Sequence, residues 1–331
     1  MTAASTLDPS YRCDRMPRDN TTGMDLSVDL CGVELRNPTV MASGILGTSI
    51  DLLRRAADCG AGAATIKSIS AEERKGHNNP TVIATGSAML NAVGYSNPGV
   101  EAAMEEFAGV GDLDIPVLGS VIGQEAPEFA RVAERLMECG FDALEIPLSC
   151  PHTPGYGTLA GHGTPEATEE ITRAVRQVTD RPLFVKISPN VQGLGEVALA
   201  AVEGGADGVT AVNTLGPGMV IDVDSGEPVL DFDAGGVSGP ALRPVAVRCV
   251  YDVYAALRRE GHDAAIIGTG GVSTGEHALQ MVMAGATAVG MGTAVYQRGT
   301  GAFGRVADEM RGECRRLRVE SLDEIRGCAH G

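Results

Sequence analysis

The sequence predicts an α/β protein built as a (β/α)8 TIM barrel, with long loops after strands two, four and six. Two kinds of short segment alternate along the 331 residues. One is a mostly apolar run that ends in Ser or Gly, and the other begins with a glycine that ends a helix. Because the alternation covers all four quarters of the chain, it favours a closed barrel over a doubly wound open sheet. Residues 24–331 are therefore predicted to form one barrel domain, preceded by a flexible polar tail at 1–23.

The predicted strands are short and largely apolar. "RPLFVKIS" at 181–188 is typical of a strand that is buried on both faces of a parallel sheet. "GGADGVTAV" at 204–212 is typical of the other kind, in which a glycine caps the preceding helix. In chain order, the eight predicted strands lie within residues 37–43, 59–67, 115–120, 139–146, 181–188, 204–212, 263–270 and 284–291.

Two connections between predicted strands are too long to hold one helix each. They are residues 69–105, after strand two, and 213–243, after strand six. Other connections are plainly helical, such as "APEFARVAERLMEC" at 126–139. Because each long connection follows a strand, its extra loops should lie at the C-terminal face, where barrel enzymes have their active sites.

The composition argues against several classes of function. The formal net charge is −17 and no basic stripe is present, so a nucleic-acid-binding protein is not expected. No run of about 20 apolar residues could span a membrane, and no apolar export segment is evident, so a cytoplasmic protein is expected. The eight cysteines include no C-x-x-C pair, so neither zinc nor a cysteine-ligated iron–sulfur cluster is expected.

Glycines follow the last two predicted strands. Gly270 and Gly271 come after strand seven, and Gly292 and Thr293 close strand eight. In many barrels these two loops bind a phosphate through backbone N–H groups, and glycine lets the backbone approach it closely. The pattern predicts a phosphate site, with two ordinary glycine turns as the alternative.

Two lysines end buried strands. Lys67 ends strand two and Lys186 ends strand five, so both side chains should point into the mouth of the barrel. Burying an ammonium group without a partner is costly. Each lysine is expected to contact an anion or a polar ligand, such as a flavin ring that gains negative charge when reduced. The alternative is a structural ion pair with a neighbouring acid.

Asparagines occur at the end of strand six and in the long second loop. Asn213 ends strand six, and Asn91 lies in "MLNAVGYSNPGVE" at 89–101. An amide supplies both a donor and an acceptor, which suits a ligand ring that carries amide groups. Asn97 precedes Pro98 and is predicted instead to cap a helix.

Cys150 lies at the C-terminal end of strand four, in "EIPLSCPH", on the face where the site is expected. A thiol there can act as a general base if its surroundings tune its pKa from about 8.5 towards the working pH. A buried, inert cysteine is the commoner role in general. The strand-end position and the nearby His152 favour the functional role.

Several motifs, in order along the chain, carry a specific resemblance. They include "NPTVMASGILG", "TIKSIS", "LSCPH", "KISPN" and "GGVSGPALRPVAVR". From about residue 27 to 312 the chain resembles the soluble class 1 dihydroorotate dehydrogenases, and its strand-four motif resembles that of the pyrimidine-binding domain of dihydropyrimidine dehydrogenases. The resemblance implies non-covalent FMN, a homodimer and a small cyclic carbonyl or amide substrate. It also implies an electron acceptor, either a soluble one or a partner subunit that carries FAD and an iron–sulfur cluster.

The resemblance implies roles for individual residues as well. Cys150 would remove a proton from one ring carbon while hydride passes from the next carbon to the flavin, and Ser149 neighbours it in the motif. The residues implied to bind the substrate are Asn91, Ser149, His152, Asn213 and Thr214. The residues implied to bind FMN are Ala42, Ser43, Gly44, Lys67, Ser68, Lys186, Gly239, Gly270, Gly271, Gly292 and Thr293.

Two positions depart from the dihydroorotate dehydrogenase pattern. That family usually has Asn-x-Ser-Cys-Pro-Asn at strand four, whereas this chain has Pro147 and His152 in place of the asparagines. Proline has no side-chain hydrogen bond to give and no backbone N–H. Losing two ring-holding amides would leave substrate groups unpaired, at roughly 1–3 kcal/mol each. A non-pyrimidine cyclic amide or an enone is therefore an alternative substrate.

Two functions of other classes also fit parts of the pattern. A flavin-free barrel lyase or isomerase would bind a phosphorylated substrate where FMN would lie. A non-catalytic protein would keep the fold only, and the presence of Lys67, Cys150 and Asn213 argues against it.

Overall fold

A computed structural model describes residues 24–148 and 162–331. Short strands alternate with helices along most of this part of the chain. The strands are β1 (Val28–Leu30), β2 (Val33–Leu35), β3 (Thr39–Met41), β4 (Ala63–Thr65), β5 (Val82–Ala84), β6 (Met89–Asn91), β7 (Val117–Ser120), β8 (Ala143–Pro147), β9 (Leu183–Ile187), β10 (Gly208–Ala211), β11 (Leu215–Gly218), β12 (Gly235–Ser238), β13 (Ala265–Thr269) and β14 (Ala288–Met291). The α-helices are α1 (Ile50–Asp58), α2 (Val100–Glu106), α3 (Ala126–Met137), α4 (Pro165–Arg176), α5 (Leu194–Glu203), α6 (Arg243–Arg259), α7 (Gly275–Ala284), α8 (Thr293–Arg298) and α9 (Ala302–Leu317).

Parallel strands close into a barrel, which confirms the predicted fold. Around the barrel the order is β3-β4-β7-β8-β9-β10-β13-β14, which is also the order along the chain. The barrel closes because β14 pairs with β3, with Gly290 opposite Val40. A doubly wound open sheet is excluded by that pairing. Each barrel strand lies within a predicted segment or passes its end by one residue.

Glycines end the helices before four of the barrel strands, as the sequence predicts. Gly60 and Gly140 have φ of +93° and +89°, and Gly205 and Gly285 have φ of +105° and +122°. These angles lie in the left-handed region, which costs glycine little and other residues more. Each glycine therefore turns the chain from a helix towards the next strand.

The helices form a layer outside the barrel. Helices α3, α4, α5 and α6 each pack against the next one along the chain. Side-chain oxygens of Ser49, Thr164 and Thr274 accept hydrogen bonds from first-turn N–H groups and so begin α1, α4 and α7. No helix among the described residues is long and apolar enough to cross a membrane.

The two long connections pair with each other, which the sequence does not reveal. Strands β5 and β6 of the first connection join β11 and β12 of the second in a sheet with the order β11-β12-β6-β5. Strands β6 and β12 are antiparallel, with Asn91 opposite Gly236 and Leu90 opposite Val237. Both connections leave the C-terminal ends of barrel strands, so this sheet holds them together on the site face. The connection after β8, residues 148–164, lies mostly outside the described residues.

The predicted helix cap at Asn97 is wrong. Helix α2 begins at Val100, and its N-cap is Gly99, which makes no side-chain capping bond. The Oδ1 atom of Asn97 instead accepts hydrogen bonds from the backbone N–H groups of Gly99 and Ser70, at 3.0 and 3.1 Å. The Asn-Pro pair therefore marks the turn before the helix and ties it to the segment after β4.

Candidate active site

A cavity of about 460 Å³ opens at the C-terminal ends of the barrel strands. Residues after β3, β4, β10, β13 and β14 line it, together with residues of β6 and β12. Every described residue that the sequence predicts to bind cofactor or substrate lies along this cavity. These residues are Ala42, Ser43, Gly44, Lys67, Ser68, Asn91, Lys186, Asn213, Thr214, Gly239, Gly270, Gly271, Gly292 and Thr293. The other three, Ser149, Cys150 and His152, lie outside the described residues.

One end of the cavity consists of glycine backbone and hydroxyl groups, and we call it the glycine end. Gly239, Gly270 and Gly271 line it with φ of +82°, +139° and +71°. A Cβ atom on Gly271 would lie 2.7 Å from the carbonyl oxygen of Gly239, so glycine is needed where the two loops meet. Beside them, the hydroxyl oxygens of Ser238 and Thr293 are hydrogen-bonded at 2.8 Å. Such a surface suits a phosphate group.

Lys186 lines the cavity and also pairs with a buried carboxylate. Its Nζ atom lies 3.3 Å from Oε1 of Glu145, and the two side chains are only 7% and 3% exposed. Thr210 donates a hydrogen bond of 2.8 Å to the other carboxylate oxygen. The structural ion pair that was the alternative for Lys186 is therefore present. Glu145 is not among the site residues that the sequence predicts, although an acid inside an apolar strand requires a partner and is itself a signal.

Tyr95 is a second cavity residue that sequence analysis missed. The Nζ atom of Lys67 lies 5.9 Å from the centroid of the Tyr95 ring, within the range of a cation–π contact. The φ angle of Tyr95 is +57°, a left-handed backbone conformation that is unusual for an aromatic residue. The turn thus places an aromatic ring beside Lys67 at the cavity wall.

A stack of two rings joins the two long connections, and we call it the loop clasp. His77 of the first connection stacks on Phe232 of the second, with ring centroids 4.0 Å apart and planes inclined by 5°. The Nδ1 atom of His77 lies 2.9 Å from the carbonyl oxygen of Ala92. A Cβ atom on Gly94 would lie 2.8 Å from the His77 ring. Because Ala92 and Gly94 line the cavity, the clasp supports the segment that follows Asn91.

The arrangement suits a cofactor with an anionic tail beside a smaller polar ring. The glycine end fits the tail, the ammonium groups of Lys67 and Lys186 fit an electron-rich ring, and Asn91 and Asn213 supply amides. The cavity volume lies within the roughly 300–1,000 Å³ of small-molecule sites. Within residues 24–148 and 162–331, no group of three His, Cys, Asp or Glu side chains could hold a metal ion.

Comparison with known proteins gives the family. The family model described as dihydroorotate dehydrogenase matches residues 25–313. The catalytic subunit of dihydroorotate dehydrogenase B (NAD(+)) from Methanocaldococcus jannaschii is 40% identical over 309 residues, which cover 92% of this chain and 98% of that protein. The protein of the same name from Pyrococcus abyssi is 42% identical over 304 residues, which cover 92% and 99%.

A crystal structure of dihydroorotate dehydrogenase from Eimeria tenella, in complex with ferulenol, has the same fold. It matches with a TM-score of 0.81 at 22% identity, over 95% of this chain and 90% of that chain.

Family membership confirms the predicted cofactor, FMN, and the predicted class of reaction, oxidoreduction of a CH–CH group. The match at 25–313 contains every strand of the barrel, and the chain belongs to the dihydroorotate dehydrogenase family.

Proposed function

We propose that this chain oxidises dihydroorotate, or a closely related dihydropyrimidine, by passing a hydride to FMN and a proton to Cys150. The observation that carries the proposal is this cavity, because every described residue implied to bind cofactor or substrate lines it. The names of relatives that are 40% and 42% identical support the same substrate. A flavin-free lyase or isomerase is disfavoured because the family is flavin-dependent.

The residues of the cavity fit FMN. The glycine end, with Gly239, Gly270 and Gly271, would hold the phosphate, because its backbone can approach an anion closely. Lys67 and Lys186 would contact the ring system, whose reduced form carries negative charge. The bound cofactor supplies the acceptor for the hydride that leaves the substrate.

Two asparagines on the cavity wall have fixed orientations. The Nδ2 group of Asn91 donates a hydrogen bond of 3.3 Å to the carbonyl oxygen of Gly236. The Oδ1 atom of Asn213 accepts one of 2.9 Å from the backbone N–H of Thr214. We propose that both amides hold the substrate ring. Cys150 would take the proton from the carbon next to the one that gives up hydride, so the substrate loses two electrons and gains a C=C bond.

A non-pyrimidine cyclic amide or an enone is the second candidate substrate, and Pro147 is the observation that favours it. Pro147 lines the cavity and lies opposite Lys186 in the register of β8 and β9. A proline at this position cannot offer the ring the amide that the usual family motif supplies. The likeness of the strand-four motif to dihydropyrimidine dehydrogenases, which points back to a pyrimidine, stays a prediction.

An anaerobic visible spectrum of the purified chain, before and after adding dihydroorotate, tests the proposal. We expect a yellow protein whose flavin absorbance bleaches. The flavin absorbance could persist with dihydroorotate and bleach with a saturated non-pyrimidine lactam. That result would contradict dihydroorotate as the substrate and support the second candidate. A chain that stays colourless after FMN is supplied would contradict a flavoenzyme of either kind.

The relatives' names also support a partner for electron transfer. They are catalytic subunits of an NAD(+)-dependent enzyme, so we propose that a second subunit passes electrons from this chain to NAD+. Reduction of NAD+ by the isolated chain would contradict this. A homodimer and a cytoplasmic location are proposed from the family resemblance, and sedimentation of the purified chain and cell fractionation test them.

Replacing Phe232 with alanine should raise KM for the substrate about two- to tenfold and leave the FMN content unchanged. The reason is that the loop clasp supports the segment after Asn91, and a stacked ring pair contributes roughly 0.5–1.5 kcal/mol. Steady-state kinetics and flavin absorbance per chain measure the two quantities. Val223→Ala is the matched control, because Val223 is 94% exposed on the same connection and should change neither. An unchanged KM in Phe232→Ala would show that the clasp does not position the substrate segment.

A further inference from the structure

Three polar side chains, linked one to the next by hydrogen bonds, lead to the glycine end of the cavity. Ser273 lines the cavity two residues after Gly271. The hydroxyl oxygen of Ser273 lies 3.2 Å from Nδ1 of His277, in the first turn of α7. The other ring nitrogen of His277, Nε2, is hydrogen-bonded to the guanidinium group of Arg243. None of these three residues is among those that the family resemblance implies.

The chemistry of the three groups fixes the direction of the hydrogen bonds. A guanidinium group only donates, so Nε2 of His277 must be the acceptor of the bond from Arg243. In the neutral ring the proton then lies on Nδ1, which donates to the hydroxyl oxygen of Ser273. Burial, and next the charge of Arg243, lower the pKa of His277, which favours this neutral form. The hydroxyl hydrogen of Ser273 is therefore available to the cavity.

The backbone of Ser273 is held by contacts that do not involve His277 or Arg243. Its carbonyl oxygen accepts a hydrogen bond from Arg298, which pairs with Glu309 at 2.6 Å. The other carboxylate oxygen of Glu309 accepts a 2.8 Å bond from the N–H of Gly275, the first residue of α7. The loop is therefore anchored on its outer side, and removing the Ser273 hydroxyl should leave the loop in place.

Arg243 lies directly against the glycine end. A Cβ atom on Gly271 would lie 2.7 Å from Cβ of Arg243, so the two backbones are in close contact. The protein carries a formal net charge of −17, so a bound dianion benefits from a cation close to its site. A cation at this position, connected through His277, offsets that charge where a phosphate would lie.

We propose that the Ser273 hydroxyl donates a hydrogen bond to the phosphate of FMN, and that Arg243 and His277 are positioning residues that orient this hydroxyl. The inference rests on the FMN binding of the proposed function. Because the Ser273 oxygen already accepts a hydrogen bond from His277, its hydroxyl group is left to donate one. The same arrangement also places a positive charge behind that donor without direct contact between Arg243 and the phosphate.

Binding of FMN and of riboflavin to the flavin-depleted full chain, followed by quenching of flavin fluorescence, tests the proposal. Riboflavin lacks the phosphate, so it reports the rest of the site. Ser273→Ala should weaken FMN binding about tenfold to a hundredfold, because a hydrogen bond to a charged group is lost. The riboflavin affinity of Ser273→Ala should stay within about twofold of the wild-type value. Ser225→Ala is the control, because Ser225 is an exposed serine outside the cavity, and its affinities for FMN and riboflavin should also stay within about twofold.

Variants of His277 separate positioning from simple packing. His277→Ala should weaken FMN binding selectively, and the double variant with Ser273→Ala should lose little more than Ser273→Ala alone, because both act on one contact. His277→Gln should recover most of the FMN affinity, since its amide can accept from Arg243 and donate to Ser273. Equal losses for FMN and riboflavin would overturn the proposal, as would unchanged FMN affinity in Ser273→Ala. A wild-type chain that binds neither flavin would overturn the proposed function and this inference with it.

Discussion

Replacing Cys150 with alanine should remove most turnover and leave FMN bound. A positioned general base typically contributes about 10²–10⁴ to the rate, so kcat should fall by a factor of that order. Flavin binding should persist because every described residue assigned to FMN lies in another part of the chain. Anaerobic stopped-flow reduction of the flavin by dihydroorotate measures the chemical step directly, and the visible spectrum gives the flavin content.

A second cysteine supplies the control for this experiment. Cys249 is buried within α6, and burial, followed by the charge of Asp252, raises the pKa of its thiol to about 11. A thiol in this state is a poor base, so Cys249→Ala should change stability slightly and turnover hardly at all. Normal flavin reduction in Cys150→Ala would show that another group accepts the proton. Loss of flavin from that variant would show a structural role instead.

The barrel could be predicted from sequence because its signals are local. Four of the helices that precede barrel strands end at a glycine with a left-handed backbone, as at Gly60 and Gly140. Each barrel strand is a short, mostly apolar run whose two buried faces need no alternation. The cavity followed from the same signals, because parallel strands bring their C-terminal ends together whatever lies between them.

Features that depend on distant pairing could not be predicted in this way. Leu90 pairs with Val237, which lies 147 residues later in the sequence. No local alternation of apolar and polar residues predicts either strand. The stack of His77 on Phe232 depends on that pairing, so the sequence does not predict the stack either. Asn97 shows the opposite error: its local Asn-Pro signal predicts a helix cap, whereas its amide ties the turn before α2 to the segment after β4.

The pair of Glu145 and Lys186 belongs to the same class, because only the register of β8 and β9 reveals it. A lysine at a strand end predicts an anionic partner, and the sequence offered either a ligand or a neighbouring acid. The structure contains the acid and also places the lysine on the cavity wall. One ammonium group therefore stabilises the fold through its ion pair and also faces the cavity.

Replacing Glu145 with alanine should lower the free energy of unfolding by roughly 3–5 kcal/mol, because it leaves the Lys186 ammonium group buried without its carboxylate. Urea denaturation of the flavin-depleted chain measures this without the stabilisation that bound FMN would add. Asp252→Ala breaks an exposed ion pair with Arg248 on α6 and should cost less than about 1 kcal/mol.

The double variant Glu145→Met with Lys186→Met distinguishes a buried unpaired charge from lost packing. Two apolar side chains of similar volume remove both charges at once, so most of the stability should return. The double variant should nevertheless bind flavin more weakly than the wild-type chain, because the Lys186 ammonium group on the cavity wall is gone. If the double variant is as unstable as Glu145→Ala, packing around β8 and β9 explains the loss, and the ion pair does not.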